Sequence, residues 1–232
     1  MRPLPSPEVG AHEVWTALDE PWQEAFRQAW EALRTGNIPV GACVSTRSGR
    51  IVHSARNRVT DDHGPAGEVW GSALAHAEIN TLARVGFRRH EELVLTTTLE
   101  PCLQCAAAIR LAPVATVRFA GADSYWEGCH DFARLSAREA ARGQPQRWGP
   151  REDELGLFAT VISRVGPSLT ATYEGWLRRS GEGPVVDLAR SISASGRLEQ
   201  LAGLEVGDAF AELWPELREL GGLLSGHFGR LL

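Results

Sequence analysis

Lysine is absent from this chain. All 24 basic residues are arginine, which we read as compositional bias rather than function. Also missing is any apolar run near the roughly 18 residues that a membrane-spanning helix requires. The opening stretch, Met1-Arg-Pro-Leu-Pro-Ser-Pro-Glu8, lacks the apolar segment of a secretion signal and reads as part of a flexible lead over residues 1–14. Cysteine is scarce, four residues in all, and with no secretory context these are expected as thiols in a reducing cytoplasm rather than as disulfides. No internal repeat occurs. The remainder is ordinary for a globular protein: 43% hydrophobic over 232 residues, enough to bury a core and to form one domain with or without an extension.

Against that background one stretch stands out, Ala73-Leu-Ala-His76-Ala-Glu78-Ile-Asn-Thr-Leu-Ala83, answered by Thr98-Leu-Glu-Pro101-Cys102-Leu-Gln-Cys105. His76 offers an imidazole nitrogen, and Cys102 and Cys105 offer two thiolates one helical turn apart. Three such ligands suit one tetrahedral Zn2+ with its fourth position open to water, as in catalytic rather than closed structural sites. Glu78, two residues past the histidine, need not be a ligand and can serve as a general acid and base. Each half sits where a helix should begin. Leu74, Ala77, Ile79, Leu82 and Val85 recur at largely helical spacing up to Gly86, and a strand, Leu93-Val-Leu-Thr-Thr-Thr98, precedes Pro101, a residue suited to a first helical turn. Helix N-termini at both halves favour thiolate over thiol. The competing reading, a structural cysteine pair beside an unrelated core histidine, has no use for that strand-then-helix context.

Taken in order, the chain predicts a helix from Leu18, capped by Asp19, with Pro21 in its first turn, an apolar stripe of Trp22, Phe26, Ala29, Trp30 and Leu33, and a stop at Gly36. A β-hairpin follows, Ile38 to Val44 and Ile51 to Ala55. Residues 60–71, rich in turn formers, read as a loop that either covers a site or simply connects. A strand over Val114 to Phe119 and a helix over Asp131 to Arg142 come next, then a break at residues 143–150 that reads as a linker or ordered loop. Leu155 to Ile162 is apolar, and its period does not distinguish helix from strand. The remainder, with Trp176, Leu188, Leu201, Leu204, Phe210, Leu213 and Leu217, suggests helices packed on the core. Alternating helices and strands imply an α/β layer sandwich with helices on both faces of a mixed sheet.

Ile38-Pro39-Val40-Gly-Ala42, Asn57, His76-Ala-Glu78, Thr98-Leu-Glu-Pro-Cys-Leu-Gln-Cys105 and Val117-Arg-Phe-Ala-Gly-Ala-Asp123 together resemble the cytidine deaminase-like superfamily, above all its branch of bacterial tRNA adenosine deaminases and guanine deaminases. The likeness covers about Trp15 to Arg142. It implies a three-layer α-β-α sandwich on a mixed five-stranded sheet, and we divide the chain into a deaminase domain over residues 15–165 and a helical C-terminal extension over 166–232. It further implies one Zn2+ per chain held by His76, Cys102 and Cys105, with Glu78 as proton shuttle. By the same resemblance Asn57 hydrogen-bonds the base or sugar, the Ala77 backbone amide contacts the base, Pro39 and Val40 line the pocket, and the protein is a homodimer with the site near the interface.

Charge bears on the substrate. Residues 181–221 hold eight acids and three arginines, a balance of −5 that equals the net charge of the whole chain and repels RNA. Arginines at 84, 88 and 89, and at 134, 138, 142, 147 and 151, read as solvated faces paired with nearby acids rather than as a phosphate track. The loop between Asn57 and His76 is longer than the tRNA enzymes usually have, Gln104 stands where a methionine or small residue is common, and the run Ser124-Tyr125-Trp126-Glu127-Gly-Cys129-His130 is bulky where those enzymes favour small residues. Tyr125 or Trp126 either stacks on a bound base or packs under the final helix, while Asp123 or Glu127 can hydrogen-bond an exocyclic amine or ring nitrogen. Cys129 and His130 read as packing residues. The resulting expectation is a cytoplasmic zinc-dependent hydrolytic deaminase of a small aminated heterocycle, a purine base or nucleoside, with neither nucleic acid nor membrane as partner. The alternatives are tRNA adenosine-to-inosine deamination and a catalytically silent zinc scaffold or partner subunit.

Overall fold

The computed structural model describes residues 10–86, 92–166, 169–194 and 196–228; Arg88 and Arg89 lie outside these. Its first element differs from the flexible lead read over residues 1–14. Helix α1 (Ala11–Thr16) starts there because the Gly10 N–H donates to the Glu13 carboxylate (3.0 Å), and because Trp15 packs on Phe26 and Phe210. Helix α2 (Glu20–Arg34) begins as read: Asp19 accepts from the Trp22 N–H (3.1 Å), Pro21 stands in the first turn, and Trp22, Phe26, Ala29 and Trp30 are buried.

Five strands form one sheet in the order β2-β1-β3-β4-β5. Strands β1 (Gly41–Thr46) and β2 (Ile51–Arg56) make the antiparallel hairpin, and β3 (Leu93–Leu99) pairs antiparallel to β1. Strand β4 (Val114–Gly121) runs parallel to β3, and β5 (Gln146–Trp148) parallel to β4 at the edge. That last strand occupies the break at 143–150, where turn residues mask a short pairing segment. The helix read over Asp131–Arg142 is instead a 3-10 turn (Phe132–Arg134) and the short α5 (Ala137–Ala141). Ser136 accepts from the Glu139 N–H and restarts the helix, and no residue of either piece is buried, so packing holds nothing longer. The ambiguous stretch from Leu155 is helix α6 (Glu154–Ser163), capped by Asp153 through the Gly156 N–H (3.1 Å).

Strand pleat assigns the layers. Leu93, Leu95, Val117 and Phe119 point to the face covered by α3 (Ala77–Ala83) and α4 (Leu103–Leu111), where Ala77, Leu82 and Ile109 join them. Ala120 faces the other way, toward α2 and α6. Contact there is close: a Cβ added at Gly41 would stand 2.1 Å from the Ala25 carbonyl oxygen, so glycine lets α2 lie directly on β1. A further layer covers α2 and α6. It is made by α8 (Gly183–Ala194), α9 (Arg197–Ala202) and α10 (Val206–Phe228), whose Ile192, Leu201, Phe210, Leu213 and Leu217 share one core with Phe26, Trp30 and Phe158. Helix α7 (Ala171–Leu177) and a π-turn (Arg178–Glu182) lead into them. Among the described residues no helix is long and apolar enough to cross a membrane.

The loop after β2 is fastened down. Asp61 accepts from Arg56 (2.7 Å), Arg58 (2.8 Å) and Asn37 (2.6 Å), and Glu68 from Arg58 (2.5 Å) and Arg84 (3.3 Å). The Asn80 side chain bonds both backbone groups of Val69, at 2.7 and 3.0 Å.

Candidate active site and metal centre

The sheet gathers the site at one edge. Register pairs Gly41 with Arg56, Ala42 with Thr97 and Leu99 with Gly121, so the start of β1 and the ends of β2, β3 and β4 lie side by side. Val40, Asn57, Glu100 and Asp123 project from those strand ends, where open α/β sheets bind their ligands. The two helices that follow supply the rest. His76 is the N-cap of α3 and Cys102 the N-cap of α4, and neither side chain caps its own helix. Pro101 therefore precedes the cap rather than standing in the first turn, and α3 is shorter than the stretch from Leu74 to Val85. Thr81 donates to the Ala42 carbonyl (3.2 Å) and holds α3 on β1.

Both cysteine sulfurs turn toward the histidine. His76 Nδ1 lies 3.4 Å from Cys102 Sγ and 3.5 Å from Cys105 Sγ, with the sulfurs 3.6 Å apart. Tetrahedral zinc, with bonds of about 2.3 Å to sulfur and about 2.0–2.1 Å to nitrogen, places its ligand atoms roughly 3.5–3.8 Å from one another. The cluster therefore fits zinc in both donor chemistry and spacing, and it is the group capable of holding a metal among the described residues. The hydrogen bond between Cys102 and Cys105, and after it the one between Cys102 and His76, pull the Cys102 thiol down to about 4, against burial. That same bond, then burial, pushes Cys105 up. Burial opposes charge on His76, yet Cys102 and Glu78 outweigh it and raise the imidazole.

Glu78 is 3% exposed. Thr97 Oγ1, on the face of β3 that α3 covers, donates to its Oε1 (3.0 Å), and the Cys105 thiol donates to Oε2 (3.4 Å). Burial, the largest influence, raises its carboxyl above the ordinary range, with the His76 charge opposing.

A cavity of about 180 Å³ opens beside the cluster, lined by His76, Glu78 and Cys102 and, among the other residues singled out from sequence, by Val40, Asn57, Asp123 and Trp126. Pro39 and Ala77 are buried next to that lining but are not part of it. Tyr125 sits outside, 45% exposed, edge-on to Trp126, Tyr173 and Trp176, and Glu127 is exposed. Cys129 donates to the Pro101 carbonyl (3.5 Å), and burial pushes its thiol up to about 11; His130 lines a different, small pocket.

Sequence reasoning passed over Glu100, Ser163, Arg164 and Tyr173, all of which line the cavity. Glu100 stood inside the cysteine motif and accepts from Arg147 of β5 (2.7 Å). Arg164 directly follows the apolar run of α6 and reads as a helix end, and Tyr173 lies in the extension to which no chemistry was given. Asp123 joins them: its Oδ1 accepts from Arg164 (3.3 Å), the Tyr173 hydroxyl (3.2 Å) and the Tyr125 N–H (3.2 Å).

Residues 17–120 match the family model of the cytidine and deoxycytidylate deaminase zinc-binding region. A tRNA-specific adenosine deaminase of Streptococcus pyogenes serotype M1 is 32% identical over 147 residues, 62% of this chain and 77% of that one. The tRNA-specific adenosine deaminase 2 of Xenopus laevis is 28% identical over 123 residues; the match takes in 49% of this chain and spans 65% of that relative's length, short of two thirds. Among solved structures, a guanine deaminase from Nitrosomonas europaea superposes with a TM-score of 0.46 at 23% identity, over 63% of this chain and 84% of that one. By this sequence match and by its zinc-fitting cluster, the chain belongs to the cytidine and deoxycytidylate deaminase zinc-binding family.

Proposed function

We propose that this protein is a zinc-dependent hydrolytic deaminase of a small aminated heterocycle, a purine base or nucleoside. In the reaction one water is consumed, a ring C–NH2 becomes C=O, and one ammonia leaves. A zinc ion held by His76, Cys102 and Cys105 supplies the Lewis acidity that makes water nucleophilic near neutral pH. Glu78 does the proton work: its carboxylate takes a proton from the attacking water and passes it to a ring nitrogen, then takes the second proton from the hydroxyl so formed and passes it to the departing amine. A carboxyl raised by burial and steadied by Thr97 suits a group that both accepts and returns protons. Asn57 has its side-chain oxygen engaged by the Val59 N–H (3.1 Å), so its amide N–H groups are what it offers a substrate acceptor.

The observation that carries the small-molecule reading is the wall of the cavity. Ser163, Arg164 and Tyr173 lie beyond the stretch from Trp15 to Arg142 that resembles the family, and with Asp123 and Trp126 they bound a space of about 180 Å³, on the scale of one heterocycle. The balance of −5 over residues 181–221 supports it. One observation favours a second reading, tRNA adenosine-to-inosine deamination: two of the proteins cited above are named tRNA-specific adenosine deaminases. Ammonia release decides between them, measured on guanine, guanosine, adenine, adenosine, cytosine and cytidine beside a tRNA anticodon stem-loop. Turnover of a free base or nucleoside is expected, and activity on the stem-loop alone reverses the assignment. Glu78→Gln is expected to keep one zinc per chain and lose at least about 1,000-fold in kcat, the scale of a lost proton shuttle. Persisting turnover removes Glu78 from its role.

A further inference from the structure

Asp123 lines the cavity from the loop after β4. Three donors reach its carboxylate, and they share it unevenly. Oδ1 accepts from the Tyr125 N–H (3.2 Å), from Arg164 Nη2 (3.3 Å) and from the Tyr173 hydroxyl (3.2 Å). Among the described residues Oδ2 has only the longer branch of that same hydroxyl bond (3.4 Å). Each carboxylate oxygen offers about two lone pairs, so Oδ1 is taken up and Oδ2 keeps capacity for a ligand.

The three donors do different things. Arg164 supplies charge but little direction, because the same Nη2 also donates to Glu182 Oε2 at an equal 3.3 Å. The Tyr125 N–H makes the local cap bond of a 3-10 turn (Ser124–Trp126) and takes Oδ1 alone. Tyr173 alone spans both oxygens, and it does so from α7, another wall of the same cavity. Its ring is itself held: Arg164 Cζ lies 5.2 Å from its centre and the Tyr125 ring stands edge-on at 5.3 Å. Thr170, the cap of α7, accepts the Tyr173 N–H (3.4 Å) and fixes the backbone. Burial raises the hydroxyl, which therefore stays protonated and able to donate at neutral pH.

We propose that Tyr173 is a positioning residue for the deamination: its hydroxyl orients the Asp123 carboxylate so that Oδ2 accepts an N–H of the bound aminated heterocycle. This rests on the deaminase reading above and holds for whichever aminated substrate the enzyme takes. The contact lies away from the zinc and forms as the substrate binds, so its loss falls on KM and not on kcat.

The experiment uses the zinc-loaded full chain and whichever compound of the panel above, free base, nucleoside or stem-loop, the unaltered protein turns over. Tyr173→Phe keeps the ring between Arg164 and Tyr125 and removes only the hydroxyl. It is expected to raise KM about ten-fold, the low end for a hydrogen bond to a charged group, with kcat within about two-fold and zinc content unchanged. Asp123→Asn, which leaves Arg164 paired with Glu182, is expected to raise KM at least as much. Because the two side chains act as one unit, adding Y173F to D123N should change KM by no more than about two-fold. An unchanged KM in Y173F, a loss confined to kcat, or losses that multiply in the double variant each overturn the proposal.

A second measurement decides where Y173F fails to fold. The chain has two tyrosines, so Tyr125→Phe leaves one [13Cζ]tyrosine resonance, which reports on the Tyr173 hydroxyl. Saturation with the deaminated product is expected to shift it in Y125F and to leave it in place once D123N is added. No shift in Y125F, or an equal shift in both proteins, overturns the proposal. Release of ammonia from no compound by the unaltered protein removes the deaminase reading and this inference with it. Turnover that Y173F leaves unchanged removes this inference alone.

Discussion

Thr97 lies deep in β3, fully buried, with one hydroxyl that faces Glu78. Its value to the site is directional: the donor fixes which carboxylate oxygen is occupied and leaves the other toward Cys105. Thr97→Val keeps shape and removes that donor. We expect kcat to fall about ten-fold, the scale of one neutral hydrogen bond, with zinc content unchanged. Unchanged kcat in a zinc-replete variant would show that packing alone holds Glu78. The four residues of the metal motif were legible in sequence because ligand chemistry restricts both residue type and spacing, and because each half announces a helix start. Arg164 was not, since an arginine after an apolar helix ordinarily ends that helix in solvent. Only tertiary packing, which puts Asp123, Glu182 and Tyr173 around it, turns the same residue into part of a wall.

Among the elements, the segment between β2 and α3 is where sequence and structure part most usefully. Its turn residues allowed either a cover or a connection, but the side chains that decide are charged and lie apart in sequence. Arg56, Arg58 and Asn37 converge on Asp61, and Arg58 and Arg84 on Glu68, which makes the segment a fastened connection between Asn57 and His76. Burial alone would raise the Asp61 carboxyl; the hydrogen bonds from Arg56, Asn37 and Arg58 prevail and hold it below its ordinary 3.8. A depressed folded-state value means that Asp61 stabilises the fold fully above its unfolded value and that this contribution is lost as pH falls through the folded one. Urea unfolding of the protein and of Asp61→Asn should therefore differ by about 2–3 kcal/mol at pH 7 and at about pH 5, and by progressively less below the ordinary 3.8. A difference that does not shrink in acid would place the stabilisation elsewhere. Helix α1, strand β5 and the broken α5 escaped sequence reading for a related reason. Each is short, and what makes or unmakes it is contact with distant residues, as when Trp15 meets Phe210 or β5 meets β4.

For the whole molecule the question is whether residues after 165 form an extension or part of one core. Composition cannot answer it, because the apolar residues of α8 to α10 look the same whether they pack among themselves or on the sheet's helices. In the structure Ile192, Leu201, Phe210, Leu213 and Leu217 share a core with Phe26, Trp30 and Phe158, the Trp30 indole donates to the Leu204 carbonyl (2.9 Å), and Arg34 donates to the Ala202 carbonyl (2.9 Å). Burial of one such leucine or phenylalanine contributes about 1.5–3 kcal/mol, so several of them together rival the roughly 5–15 kcal/mol by which a whole domain is stable. The cavity depends on the same packing, since Tyr173 and Glu182 reach Asp123 and Arg164 from beyond that boundary. We therefore expect one cooperative transition on heating, with tryptophan fluorescence and far-ultraviolet circular dichroism coincident, and a chain ended at residue 165 that neither folds cooperatively nor releases ammonia. A shortened chain that melts sharply and binds zinc but has lost its substrate preference would mean that residues 166–232 are a separate unit, added to a self-sufficient deaminase domain and acting only on specificity.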